Sequence, residues 1–405
     1  MSASLGVDGG PIFQILAVEN LGLSATAIGI AFGLGVVSLP IQIYAARIPI
    51  ERARHNMQIF LALGALQAWV LAFLVGVGAT GGFAAIALGV TVTAEISVSV
   101  LFATAWQPLL ASGLDTHGRQ RLNSTWPAVA RGVLAAALVL FAALDSGGRT
   151  LFLVVIGVLA VATAVGMNAI DPPPRAPHDE PDSVTTAAAC SATATRPATS
   201  RTALAPATRV VLVVFAVINI GAIPLWLVYL NKVLWPSADL GAIAAVQIGA
   251  AMIALLAWKA TDGDVTRRAL IGAGINLAAV VSIVVLDGPV SSLAQQSVVV
   301  VATAVMAAGV TTARLAMVEA THRVVTPANT VRAFTLLDVV ASTSLQAGLL
   351  IGGLLITASA DADASLTDPY RAFVFVATAT TIPAIWWFKK TSGQQQALAG
   401  RRRMP

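Results

Sequence analysis

The sequence predicts an all-α, polytopic membrane protein, and three observations carry that reading. Of its 405 residues, 57% are hydrophobic and only 11% are charged, where a soluble chain would carry roughly 25% charged residues. Apolar stretches of about 20 residues, the length a helix needs to cross the hydrocarbon core, recur from end to end. Lysine and arginine are crowded into alternate connections between those stretches, as the positive-inside rule expects.

Taken in order, the apolar stretches fall at 25–46, 57–78, 82–108, 126–145 and 150–170 in the first half of the chain. In the second half they fall at 208–231, 238–259, 268–287, 292–318, 333–358 and 371–388. A twelfth span would lie before Glu19. It is short or truncated, because Asp8-Gly9-Gly10-Pro11 interrupts the residues available to it. No charged n-region, short apolar stretch and cleavage site precede the body of the protein, so a removable signal peptide is not expected. The stretch 89–102, GVTVTAEISVSVLF, alternates like a half-buried strand. The segment around it is about twice as long as the 9–11 residues of a barrel strand. Lipid also favours a structure that satisfies its own backbone groups, so helix is the better reading.

Charge then sets the topology. Connections 45–56, 109–131, 171–209, 259–268, 314–332 and 389–405 hold 21 of the 24 basic residues, leaving only Arg149, Lys232 and Arg371 for the opposite side. The first group is therefore placed in the cytoplasm together with the C-terminus, and the protein in the cell membrane as a multi-pass monomer. Residues 171–207 are rich in Pro, Ala, Ser and Thr without apolar periodicity, which predicts a disordered linker. This divides the chain into an N-terminal bundle (1–170), a C-terminal bundle (208–390) and a basic tail (391–405). A short basic loop follows the second span of each half, ARIPIERARHN at 46–56 and WKATDGDVTRR at 258–268. A longer basic connection precedes the fifth span of each half, at 115–132 and 321–334. This weak internal repeat is a transporter architecture.

Several classes of function are disfavoured. All four histidines (His55, His117, His178 and His322) fall in polar connections, which leaves no metal site or imidazole relay within the membrane. No lysine sits in a P-loop pattern, and Cys190 is alone. No cofactor and no nucleic-acid partner are expected.

With these features in place, the chain resembles a major facilitator superfamily transporter over nearly its whole length. The likeness rests on six-plus-six spans, a central linker, paired basic loops and ENLGLSATAIGIAFG at 19–33, which is similar to that family's passage from first to second span. In the loop at 46–56, Ala46 and Ala53 stand where the family carries glycines, and Glu51 is one position from its expected aspartate. The second copy keeps Asp262, Asp264, Arg267 and Arg268. The family's antiporter signature is absent from the fifth span, PAVARGVLAAAL. The resemblance implies alternating access around a midplane site, with the fourth and seventh spans facing the cavity.

Glu95 is the only Asp, Glu, Lys or Arg between Arg54 and Asp115. A charge at a helix centre costs roughly 2.5–3.5 kcal/mol on insertion scales and marks a functional site by default. Helical spacing places Thr91 and Ser99 beside it, with Trp106 farther along the same face. Asn219 and Trp226 in the seventh span, with Arg314 in the tenth, complete the expected substrate and ion pathway. Asp338, Arg131, Asp262, Asp264, Arg267 and Arg268 form an expected cytoplasmic gate. Gly29-x-x-x-Gly33 and Gly348-x-x-x-Gly352 are expected close helix contacts.

The function expected is secondary transport of a small molecule, with efflux of an apolar or cationic compound favoured and protons carried through Glu95. A cavity neutral and aromatic apart from that one acid would hold a strongly anionic substrate poorly. Uptake of a nutrient is the alternative within the class. A membrane-embedded enzyme or a transport-inactive sensor on the same fold is the alternative outside it.

Overall fold

A computed structural model describes residues 10–40, 53–94, 116–167, 206–222, 225–258, 264–324, 330–360 and 368–401. Glu95, Ser99, Trp106 and Asp262 lie outside them, as does the segment 171–205. The protein is all-α and polytopic, built as two pseudo-symmetric helical halves. The first half comprises α1 (Pro11–Ile15), α2 (Ala25–Gly33), α3 (Ala53–Gly76), α4 (Gly81–Ala94), α5 (Thr116–Ala143) and α6 (Ser146–Gly166). The second comprises α7 (Pro206–Ile220), α8 (Leu240–Ala257), α9 (Val265–Val284), α10 (Leu293–Val324), α11 (Thr330–Ala360) and α12 (Pro369–Arg401). Among the described residues, seven helices are long and apolar enough to span a membrane, and four shorter apolar helices accompany them. These match the eleven stretches read from hydropathy.

Local chemistry explains the helix starts. Pro11 stands at the head of α1, where its missing N–H is no loss. Ser24, Asp145 and Asp239 cap α2, α6 and α8 by accepting from the backbone N–H groups of Ala27, Gly148 and Ala242 at 3.2, 2.7 and 3.0 Å. Each satisfies a donor that would otherwise be orphaned at a helix start. All three caps sit at the end of the bundle bearing tight turns, where Gly22 and Gly78 take positive φ values of 60° and 63°. The opposite end carries the basic connections and is called the basic end below.

Two spans differ from the hydropathy reading. The first is short but present: α1 runs into a wider π turn over Leu16–Asn20, and its apolar side chains are buried. The seventh is broken. Helix α7 stops at Ile220, Leu225 adopts a left-handed conformation at φ 62° and ψ 31°, and a short helix Trp226–Tyr229 and a π turn Leu230–Leu234 follow. A β-carbon opposes that conformation by roughly 1–2 kcal/mol, so surrounding contacts must hold Leu225 there.

The packing obeys an internal two-fold. Helix α3 packs on α6 as α9 packs on α12, and the halves meet through α2 on α11 and α8 on α5, each pair being the symmetry mate of the other. The α2–α11 crossing is closest at Gly29 and Gly353: a β-carbon on Gly353 would lie 2.5 Å from the Gly29 Cα. The expectation for Gly29 and Gly33 thus gains its partners, Gly353 and Leu350. Thr26 and Thr357 join their hydroxyls across the same seam at 2.7 Å. On the mate pair, a β-carbon on Gly241 would lie 2.1 Å from the Ala142 Cβ. Both close approaches fall toward the turn end, so there the halves are shut against each other.

Overpacking such a seam costs about 1–3 kcal/mol. Gly353→Ala is therefore expected to lower the unfolding midpoint of the detergent-solubilised protein. Gly393→Ala, where the added carbon meets nothing within 4 Å beyond its own chain neighbours and helix backbone, should not lower it, since alanine is the better helix former.

Candidate functional site

A cavity of about 240 Å³ lies between the two halves, walled by residues of α1, α5, α8, α10, α11 and the break after α7. Its polar groups are Gln14, Arg131, Gln247, Thr303, Thr311 and Arg314; Leu225, Trp226, Met306, Leu345 and Leu349 make much of the rest. It sits below the closed turn end, in the middle and basic half of the bundle.

Arg131 and Arg314 face this space from opposite halves. Arg131 donates from Nη1 to Thr311 Oγ1 at 3.5 Å. Thr311 and Arg314 are three residues apart on α10 and so share a helix face, which brings both guanidinium groups onto one turn. Arg314 donates from Nη2 to Asn219 Oδ1, and Asn219 anchors itself by donating to the Phe215 carbonyl at 2.7 Å. The two positive charges repel each other. The described lining contains no aspartate or glutamate. The expectation of a neutral, aromatic wall therefore does not hold: a long side chain within a helix turn of the cavity reaches it, and Arg131 and Arg314 both do.

Asn219 and Trp226 do not share a continuous helix face, because the break separates them. They still converge on α10: Asn219 meets Arg314, and the Trp226 indole N–H donates to Thr303 Oγ1 at 3.0 Å. The break at Leu225 is what turns the Trp226 ring into the cavity wall, and hydropathy carries no sign of it. Thr91 lies on α4 outside that wall, its hydroxyl bonded back to the carbonyls of Ala87 and Leu88 at 3.1 and 2.8 Å.

The other residues expected at a gate are scattered. Arg131 lines the cavity, and Asp338 is half-buried on α11. Asp264 caps α9, accepting from the Thr266 and Arg267 backbone N–H groups at 2.9 and 3.3 Å, and lies 3.9 Å from Lys389 Nζ. Arg268 sits with its guanidinium carbon 5.0 Å from the centre of the Trp258 ring. Asp264, Arg267 and Arg268 thus cluster at the basic end, where α8, α9 and α12 meet.

A second polar cluster, unforeseen in the sequence, lies at the turn end of the second half. Asp368 is fully buried and accepts from the Tyr229 hydroxyl at 2.5 Å, from the Ser359 hydroxyl and from the Tyr370 and Arg371 backbone N–H groups at 2.9 and 3.2 Å. Arg371 Nε lies 3.4 Å from the same carboxylate and donates to the Tyr229 hydroxyl at 2.7 Å, while its Nη1 donates to the Leu286 carbonyl. Tyr229 stacks on Tyr370 and Trp226, at ring separations of 4.4 and 5.8 Å. This clasp ties the far side of the α7 break to α9, α11 and α12, and through Trp226 it touches the cavity wall. In the first half, Arg149 plays a lesser version of the part, bonding Glu19 and Asn20 at 2.8 Å each.

No protein-family model matches the sequence, and no curated protein matches it significantly. Solved structures of similar fold do match. The structure aligns with FucP, a major facilitator superfamily transporter in an outward conformation, at a TM-score of 0.57 and 13% identity, over 96% of this chain and 95% of that one. The chain has the major facilitator superfamily fold. A bacterial homologue of the human lysosomal transporter Spinster, inward-facing and unoccupied, aligns at a TM-score of 0.61 and 13% identity, over 96% and 95% of the two chains. The nucleoside transporter NupG aligns at 0.61 and 10% identity, over 96% of each. At these identities the likeness is one of fold alone.

Proposed function

We propose that this chain is a secondary transporter that moves a small solute across a membrane by alternating access. One observation carries the reading: a polar-and-apolar cavity walled by both halves, shut toward one end by two symmetry-related helix crossings. Rocking two halves about such a site exposes it to each side in turn. The cavity is smaller than the roughly 300–1,000 Å³ of drug-sized ligand sites, which suits a small cargo.

The charge bias of the connections orients the basic end and the C-terminus toward the cytoplasm of a cell membrane. The state described is then biased inward, with its cavity on the cytoplasmic half. Export is the direction we assign. Proton coupling is assigned to Glu95, the one acid of its apolar stretch, because an ionisable group within the membrane marks a functional site by default.

The test is flux in proteoliposomes under an imposed pH gradient, with radiolabelled benzoate and benzylamine as small probes of opposite charge. The wild-type chain is expected to move at least one of them faster than empty vesicles do, and faster still with the gradient. Glu95→Gln is expected to keep gradient-free exchange and lose the gradient-driven component. Flux no greater than in empty vesicles for both probes would contradict transport. An unchanged pH response in Glu95→Gln would remove Glu95 from the mechanism.

A further inference from the structure

We propose that the central cavity selects small organic oxyanions with an apolar body, the oxyanion held between Arg131 and Arg314. The inference rests on the transport reading above and names its cargo class. It departs from the expectation of an apolar or cationic cargo, which assumed a wall neutral apart from one acid.

The geometry supplies both halves of such a site. Guanidinium groups present planar forks of donors that match the spacing of carboxylate and phosphate oxygens. One comes from α5 in the first half and one from α10 in the second, on the same turn, since Arg131 donates to Thr311 and Thr311 lies one turn from Arg314. Asn219 accepts from one Arg314 nitrogen, which fixes the plane of that group and leaves it aligned rather than swinging. Two like charges brought together in a half-buried space repel each other, and a bound anion between them removes the repulsion while a bound cation would add to it. Beside these polar groups the wall offers an apolar face. The Trp226 indole N–H is committed to Thr303, so its ring offers surface rather than a donor, and Met306, Leu345 and Leu349 continue that surface. An inorganic ion would leave this part of the cavity unmatched. Because the two arginines belong to different halves, an anion joining them also links the halves at the point where they must move together.

Binding to the full-length protein in detergent, followed by quenching of tryptophan fluorescence, tests this with four probes of one shape: benzoate, phenyl phosphate, benzamide and benzylamine. Benzoate or phenyl phosphate is expected to bind, and whichever binds more tightly identifies the oxyanion as carboxylate or phosphate. Benzamide and benzylamine are expected to bind at least tenfold more weakly. Arg131→Gln and Arg314→Gln should each weaken the anion by about ten- to a hundredfold, the usual consequence of losing a charged hydrogen-bond partner. Arg131→Lys keeps charge but not the fork and should fall between; each variant's unfolding midpoint shows that it is folded. Benzylamine or benzamide binding as well as the anions would overturn the inference, as would folded Gln variants that bind anions like wild type. Benzylamine flux in the vesicle assay, with no anion flux, would leave a transporter standing and the anion site refuted. Absence of flux for both charges, with anion binding intact and sensitive to the arginines, would leave the site standing and refute transport.

Discussion

Replacing Arg371 with methionine is expected to destabilise the protein by about 3–5 kcal/mol, the cost of stranding a buried charge when its partner is removed. Asp368 and Arg371 have side chains only 0% and 1% exposed, so water cannot take over from the lost guanidinium. The carboxylate would keep the Tyr229 and Ser359 hydroxyls and its two backbone donors, yet no cation would balance it. The Leu286 carbonyl would lose its donor as well. Denaturant unfolding in detergent reads this directly. Asp368→Asn combined with Arg371→Met removes both charges and should recover most of the loss. Arg149→Met, whose partner Glu19 is 33% exposed, should cost no more than about 1 kcal/mol. A full-sized loss from Arg149→Met and none from Arg371→Met would mean that the clasp is not what secures the turn end.

The clasp also bears on the cavity. Residues 226–234 beyond the α7 break are held by stacking and by the Tyr229 hydroxyl, and Leu225 is kept in its left-handed conformation between them and α7. The same anchoring fixes Trp226 as cavity wall. Stability at the turn end and the shape of the binding surface therefore depend on one set of contacts.

An anionic cargo accords with the direction assigned. Where the cytoplasm is negative, a potential of 100 mV favours outward passage of one negative charge by about 2.3 kcal/mol. The potential would then add to the proton gradient proposed to act through Glu95 in driving export of a monovalent anion.

Much of the fold was legible because hydropathy and charge are coarse, additive signals. Eleven apolar stretches and the alternation of basic connections are enough to count spans and pair them across a two-fold. The break was not legible, since 208–231 is apolar for most of its length and composition does not register backbone conformation; Pro224 was the one readable hint, because it disfavours helix at the residue before it. Arg131 and Arg314 were visible as residues but not as partners. Each lies near the basic end of its span, where a long side chain can turn to lipid headgroups or to the cavity, and only the tertiary packing that brings Arg131 to Thr311 decides. Asp368 and Arg371 read as a connection at the edge of a span, although their three-residue spacing is that of a helical pair. Glu95 stood out for its isolation, and it lies just past the described end of α4.

Alternating access requires that the closed turn end open during each cycle, and one cross-link tests that requirement. Thr26 and Thr357 face each other across the α2–α11 seam, hydroxyl to hydroxyl at 2.7 Å, which makes the pair the place to introduce a cysteine cross-link. With Cys190→Ser to remove the native thiol, the pair Thr26→Cys and Thr357→Cys should oxidise readily and hold the halves shut at that end. Benzoate flux into proteoliposomes is expected to fall to the level of empty vesicles on oxidation and to return on reduction, while benzoate binding in detergent persists in both states. Flux that continues undiminished through the cross-linked protein would contradict the account.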